Sequence, residues 1–429
     1  MTYDEAVKKI NSLLRFGIKP GLERIKTLLN HIDNPQNNLR FVHVAGTNGK
    51  GSTCAMIASV LKEAGYRTGM FISPFVTEFR ERIQINGQLI PESDLCRLLD
   101  TIMPHVVSMA EKGLEITEFE LITVIALKWF SDNNCDVIVL EVGLGGRFDA
   151  TNIIDSPLVS VITSISLDHT NILGDTVEKI AFEKSGIIKD NGITVVSPNQ
   201  NSLAMSVILK QATGKHNKLI MSNKTDIMQV SNSIYGTEVI YKGTNITLPL
   251  IGEHQVDNLA TSLSVIQELI GLGYIISIDD IKRGIEKVEF PARLEVVSSN
   301  PLIILDGAHN PDGVKTLSNA VKKYMNGKSM VAIIGMLADK DVKNALLNIA
   351  GMFSSIVTVT PNNPRAMDCI ELSSILKDMC DNVVCADNVD DAINIALSLN
   401  TDAIIIFGSL YLAGQIRPKL LDIPTKRQK

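Results

Sequence analysis

A chain of 429 residues is too long for one ordinary core and calls for two or three domains. With 45% hydrophobic and 21% charged residues it has the make-up of a soluble globular protein, and its net charge of −6 supplies no general attraction to nucleic acid or acidic membranes. Apolar runs fall far short of the roughly 20 residues of a membrane helix, no secretory signal is visible, and six scattered cysteines without a C-x-x-C pair suit a reduced cytoplasmic setting with neither metal nor disulfide.

In chain order, Thr2-x-x-Glu5 is a capping-box pattern, and Val7, Ile10, Leu13 and Leu14 give the helix behind it one apolar face before Gly17. A second helix follows Pro20-Gly21. Phe41–Val44 reads as a short buried strand, the turn Gly46-Thr47-Asn48-Gly49 comes next, and a helix runs from Lys50 to Ala64. The spacing then predicts a strand over Arg67–Ser73, a hairpin turning at Asn86-Gly87, and helices over 92–112 and 118–132, the latter capped by Thr117 with Glu120. Strands at Val137–Gly143, Leu158–Thr163 and Ile193–Ser197, with a helix over 176–188, imply a parallel sheet covered on both faces. Short β-like runs fill 215–251, and helices follow at 253–270 and Asp279–Val288.

Phe290-Pro291-Ala292 reads as a linker. Beyond it the strand–helix period restarts: strands at Leu302–Leu305, Met330–Gly335, Ile356–Thr360, Val383–Ala386 and Ala403–Phe407 alternate with helices at Gly313–Tyr324, Val342–Phe353, 371–380 and 390–398. The fold class is therefore α/β: an N-terminal P-loop-type parallel-sheet domain over 1–290, a linker at 291–296, and a smaller doubly wound, Rossmann-like domain over 297–429.

Strand, glycine-rich turn, Lys50 and helix N-terminus fall in the order that holds polyphosphates, because backbone N–H groups, helix dipole and ammonium all favour the anion. The match to G-x4-G-K-[ST] is imperfect: Val44 takes the first glycine position, and Gly51 separates Lys50 from Ser52. Glu141 ends an apolar strand at the sheet edge where ligands bind. Beside a phosphate loop that carboxylate suggests Mg2+; the alternative is a buried pair with Arg147. Taken alone, His169 and Lys184 read as a hydrogen-bonded histidine and a solvated charge, and Ser73-Pro74 as an ordinary turn. Asp306–Pro311, Gly335–Asp341 and Gly408–Tyr411 each follow a strand of the second domain, either as one rim facing the first domain or as three unrelated loops.

GTNGKGS at 46–52 resembles the ATP loop of the Mur ligase superfamily. With SP at 73–74, TEFE at 117–120, LEVGLGGRFDATN at 140–152, LDHTNILG at 167–174 and EKSGIIK at 183–189, the likeness narrows to dihydrofolate synthase and folylpolyglutamate synthase. DNLATSL at 257–263, PARLE at 291–295, DGAHNPDG at 306–313 and GMLADKD at 335–341 extend it, in order, over nearly the whole chain.

The resemblance implies a cytoplasmic, monomeric ligase that uses ATP and two Mg2+ to join L-glutamate to dihydropteroate or folates. Neither nucleic acid nor membrane is an expected partner. It assigns ATP to Gly46, Thr47, Asn48, Gly49, Lys50, Gly51, Ser52, Asn258, Arg293 and Asp306, and the metals to Ser52, Ser73, Glu141 and His169. The pterin falls to Gly21, Leu22, Thr117, Glu118, Phe119, Glu120, Phe148, Asp149 and Ala150, and the incoming glutamate to His309 and Ser409. Lys50, Lys184 and His309 become the catalytic candidates, with Lys184 carbamylated. A kinase or GTPase would share the first loop but would need neither DGAHNP nor GMLADKD.

Overall fold

The computed structural model of the chain describes residues 1–17 and 19–422, so the last positions of the domain read as 297–429 lie outside the described residues. Among these, strands assemble into sheets of eight, three and six. The large sheet runs Gln88–Leu89, Ile83–Ile85, Thr68–Phe71, Val137–Glu141, Phe41–Ala45, Val159–Ile162, Ile193–Val196, Lys218–Met221. Its six consecutive strands from Thr68–Phe71 onward are parallel, and the Asn86-Gly87 hairpin adds an antiparallel edge.

Alternation along a strand sends successive side chains to opposite faces. Phe41, Ile138 and Leu140 enter one core with the helices Glu92–Glu111 and Glu118–Asp132. Val42, Val44, Val137 and Val139 enter another, beneath the helices Lys50–Glu63 and Glu253–Gly271. Each such fully buried side chain contributes about 1.5–3 kcal/mol, which is why continuous apolar runs mark the central strands. Both anticipated capping boxes form, Thr2 with Glu5 and Thr117 with Glu120.

The six-stranded sheet begins with Glu295–Ser299, an antiparallel edge strand that starts inside the stretch read as linker. The strands Leu302–Leu305, Ala403–Phe407, Met330–Ile334, Ser355–Thr358 and Val383–Cys385 then pair in parallel. Leu302 and Ile304 face one core while Ile303 and Leu305 face another, as a doubly wound sheet requires. The β-like runs of 215–251 divide: Lys218–Met221 joins the large sheet, and the remainder makes the three-stranded antiparallel sheet.

Several expectations are corrected. The helix read over Val342–Phe353 breaks after Leu346 and resumes as a 3-10 turn at Ala350–Met352, where the Asn348 carbonyl accepts from Ser318 Oγ. Helices at Ser202–Gly214 and Leu410–Leu421 were not read from the sequence. Cys369 and Cys385 form a disulfide, against the expectation of none. A helix N-terminus and a strand C-terminus, 16 residues apart in sequence, meet at the sheet edge, and no spacing rule announces that contact.

Candidate functional site

The nucleotide-type loop is held by its neighbours. Gly49 is left-handed, with φ 86, and a Cβ there would lie 2.4 Å from Asn258 Oδ1. A Cβ on Gly51 would lie 2.4 Å from the Phe290 ring. Glycine is therefore required twice, once for the turn and once for close approach. Thr47 and Asn48 N–H both donate to the Ser164 carbonyl. Lys50 Nζ donates to the carbonyls of Gly46 and Thr47 at 3.1 and 3.2 Å, and Ser52 Oγ accepts from Gln255 Nε2 at 3.4 Å.

Burial shifts the pKa of three groups around this loop toward the neutral form. Lys184 is buried and donates to the Gly46 carbonyl at 2.7 Å. Desolvation, aided by the Lys50 charge, lowers its pKa to about 7. Glu141 accepts from Ser73 N–H at 3.0 Å; burial pushes its carboxyl up, against the pull of Lys50. The alternative pairing with Arg147 does not form, because Arg147 bonds Glu183 at 2.6 Å and lies over the Phe148 ring. His169 takes a left-handed backbone, φ 50, with its N–H on Asp168 Oδ1. Desolvation and the nearby lysines outweigh Asp168 and bring the imidazole down to about 4, so it is neutral at physiological pH.

From the second domain, Asp306 accepts from Leu294 N–H at 2.8 Å and Ala308 N–H at 2.7 Å, and burial raises its carboxyl. His309 Nδ1 lies 2.8 Å from the Gly307 carbonyl, an acceptor, so Nδ1 carries the proton and Nε2 is left as a base. Ser409 Oγ caps the helix Leu410–Leu421 by accepting from Leu412 N–H.

The two rims meet. Asp312 Oδ2 accepts from Asn48 Nδ2 at 2.8 Å and from Ser166 Oγ at 3.3 Å. Asp168 accepts from Asn310 Nδ2 at 3.1 Å and Lys340 Nζ at 3.0 Å, and its burial is outweighed by the charges of His169, Lys340 and His309, which hold its carboxyl well below the usual range. The sequence reading quoted Asp168, Lys340 and Asp312 only as parts of motifs. The signal for Asp312 was its place in the first turn after the Asn310 cap.

Two cavities open here. One, of about 1040 Å3, lies between the domains against Gly51, Glu141, Phe290 and Arg293. The other, of about 590 Å3, is walled by Thr117–Glu120, Phe148–Ala150 and His169, with His309, Lys340 and Ser409 opposite. Ser73 and Pro74 line both. Gly21 and Leu22 are not on the smaller cavity; their neighbours Gly17, Lys19 and Pro20 are. Asp149 also holds the wall from behind, accepting from Leu144 N–H and Thr151 N–H.

Among the described residues no three His, Cys, Asp or Glu side chains cluster as a cation cage. Glu141, buried at the end of its strand with only the Ser73 N–H among the described residues as a hydrogen-bond partner and Lys50 and Arg293 acting on it through space, still fits Mg2+, which takes one or two protein ligands and completes its shell from phosphates and water.

Residues 44–266 match the Mur ligase middle domain, and residues 292–410 the Mur ligase glutamate ligase domain. A dihydrofolate synthase/folylpolyglutamate synthase of Bacillus subtilis is 36% identical over 438 residues, which span 97% of this chain and 99% of its own. A folylpolyglutamate synthase of Lacticaseibacillus casei is 35% identical over 434 residues, spanning 98% and 99%. Folylpolyglutamate synthase of Mycobacterium tuberculosis, solved with ADP and AMPPCP, superposes with a TM-score of 0.89 at 30% identity, over 97% of this chain and 99% of that one.

Proposed function

Because the chain belongs to the dihydrofolate synthase/folylpolyglutamate synthase family of the Mur ligases, it is an ATP-dependent ligase joining L-glutamate to dihydropteroate or folates, and we propose how its residues divide the work. One observation carries the division: the smaller cavity takes its walls from both domains and meets the nucleotide-side cavity at Ser73-Pro74.

A carboxylate is a poor electrophile because oxide would have to leave. The acceptor carboxylate, lying against Thr117–Glu120 and Phe148–Ala150, attacks the γ-phosphorus of ATP in line. The bond to the β-phosphate oxygen breaks, ADP leaves, and an acyl phosphate forms. Lys50 and the loop N–H groups face the charge that spreads over the transferring phosphoryl group. Ser52, Ser73, Glu141 and His169 are the residues that would hold two Mg2+, whose chemistry when bound is to neutralise phosphate charge. Lys184, half neutral near pH 7, has the free amine that adds CO2 and releases a proton to become a carbamate, a negative group that would help hold the second Mg2+.

Asn258 and Gln255 pack behind the loop, while Arg293 and Asp306 set the start of the second domain, so the nucleotide sits at the domain seam. Ser409 and Lys340 face the amino acid. His309 Nε2 is placed to orient the glutamate amine and to take its proton. The amine attacks the acyl carbon, the tetrahedral oxyanion collapses, the C–O bond to phosphate breaks, and phosphate leaves. Asn48–Asp312 and Asp168–Lys340 hold the domains together over the intermediate, which water would otherwise hydrolyse.

The test is product analysis with ATP, Mg2+ and glutamate, offering dihydropteroate and tetrahydrofolate in separate reactions. Glutamate-dependent ADP and phosphate release with a glutamylated acceptor is expected. Phosphate release indifferent to glutamate would defeat the reading.

A further inference from the structure

His43 lies in the central strand Phe41–Ala45, flanked by Leu140 and Ser160 in register, and has no exposed surface. Val42 and Val44 point toward the helix Lys50–Glu63, so His43 points to the opposite face. There its Nε2 lies 2.9 Å from Thr151 Oγ1, and Thr151 Oγ1 is itself hydrogen-bonded to Asp149 Oδ1.

Proton counting orders this chain. Burial pushes the Asp149 carboxyl up, but the Leu144 and Thr151 N–H groups that donate to it favour the ionised form. An ionised carboxylate only accepts, so the single Thr151 hydroxyl proton goes to Asp149. The hydroxyl can then only accept from His43, and Nε2 must carry the imidazole N–H. Desolvation keeps the ring neutral, with a pKa of about 3, so there is one N–H to assign. Nδ1 becomes a bare lone pair, and it is the His43 ring atom left without a partner.

The consequence is geometric. The arch 143–150 leaves the sheet at Val142, whose N–H donates to the Val44 carbonyl, and it returns at Thr151, held by His43. Both feet therefore stand on the one strand that runs directly into Gly46. Gly143, Phe148 and Ala150 of the arch line the smaller cavity, and Phe148 projects from it half-exposed.

We propose that His43 and Thr151 are positioning residues for the acceptor: the His43 Nε2–H to Thr151 O–H to Asp149 relay fixes the acceptor wall to the strand that carries the nucleotide loop. The inference rests on the acceptor occupying that cavity. In-line attack demands this registration, since a misplacement of about 1 Å lowers rates about 100-fold.

Thr151→Val keeps the shape and removes both hydrogen bonds, and Thr151→Ser keeps the hydroxyl. The valine variant is expected to lower kcat by up to about 100-fold and to raise KM for the acceptor while KM for ATP and glutamate stay within about twofold, and the serine variant to restore both. An unchanged acceptor KM, or three KM values rising together as in general loosening, overturns the proposal. Should the valine variant not fold, the 15N imidazole spectrum of the wild-type protein decides, with His43 assigned by His43→Gln. Protonated Nε2 with bare Nδ1, constant from about pH 5.5 to about 8.5, is expected. A protonated Nδ1, or titration in that range, overturns the relay. Failure of the wild-type protein to glutamylate any acceptor sinks the reaction assignment instead, and the tautomer measurement stays independent of it.

Discussion

The two sheets present rims of opposite character. On the eight-stranded sheet two buried ionisable groups are short of partners: Lys184 has one backbone carbonyl and Glu141 one backbone N–H, and burial moves both pKa values in the direction of the neutral form. On the six-stranded sheet the polar groups are spoken for: Asp306 accepts two backbone N–H groups, Asn310 caps Gly313, and Ser409 caps Leu412. Under-satisfied buried charge is retained where a ligand completes it. Satisfied polar groups fix a backbone corner. The first rim is thus built to react and the second to aim, and substitutions on the two should fail in different ways.

The largest effect is expected from Lys50→Ala. Among the described residues the side chain bonds only loop carbonyls, at 3.1 and 3.2 Å, so its removal leaves the fold intact. Turnover should fall by about 1000-fold or more, because a full charge facing the transferring phosphoryl group is lost. Near-normal turnover in a folded variant would break the comparison at its strongest point.

Lys184→Ala comes next, with a loss of about 100-fold and partial recovery by added acetate, the small anion standing in for a carbamate. No recovery would remove the carbamate from the scheme. The same residue makes a stability prediction. Its pKa falls from 10.5 to about 7 on folding. Below about pH 7 both states hold the proton and its contribution is flat; between about 7 and 10.5 the unfolded chain holds more protons, so stability climbs with pH. Lys184→Met should lose that climb, read as the urea midpoint at pH 7 and pH 9 on CO2-free protein.

Much of the first rim was legible because its chemistry is local. Strand, Gly46–Ser52 and helix are contiguous, and Glu141 ends its own apolar strand. The hairpin at Asn86-Gly87 and the Thr117–Glu120 box were equally local. What escaped was made by the fold. Asn48 meets Asp312 across 264 residues and Asp168 meets Lys340 across 172, so neither pair has a spacing to read. Cys369 and Cys385 were set aside for want of a C-x-x-C pair; the helix and strand beside them were readable, but not that the helix start would meet the strand end. The smaller cavity is lined by Gly17, Lys19 and Pro20 rather than by Gly21 and Leu22 for the same reason: a loop's path depends on what it packs against.

On the aiming rim, Asp306→Ala should register in unfolding rather than chemistry. Leu294 and Ala308 N–H each lose an acceptor, at about 1–3 kcal/mol apiece when left buried and unpaired. If KM for ATP rises instead and the unfolding midpoint stays put, the carboxylate faces nucleotide and belongs with the reacting groups.

Ser409 gives the smallest effect and the sharpest division. Its backbone is extended, φ −164, and its hydroxyl accepts from Leu412 N–H at 3.1 Å while keeping its own proton to donate. Ser409→Ala loses both functions, so stability should drop by about 1 kcal/mol, the usual worth of an N-cap, and KM for glutamate should rise. Ser409→Asp separates them. A carboxylate still caps the helix and suits its dipole, so stability should hold, but it has no proton to give and repels an incoming carboxylate. The aspartate variant should therefore be the more stable of the two and the poorer at binding glutamate. The opposite ranking in KM would confine Ser409 to the helix and move glutamate recognition to Lys340 and His309.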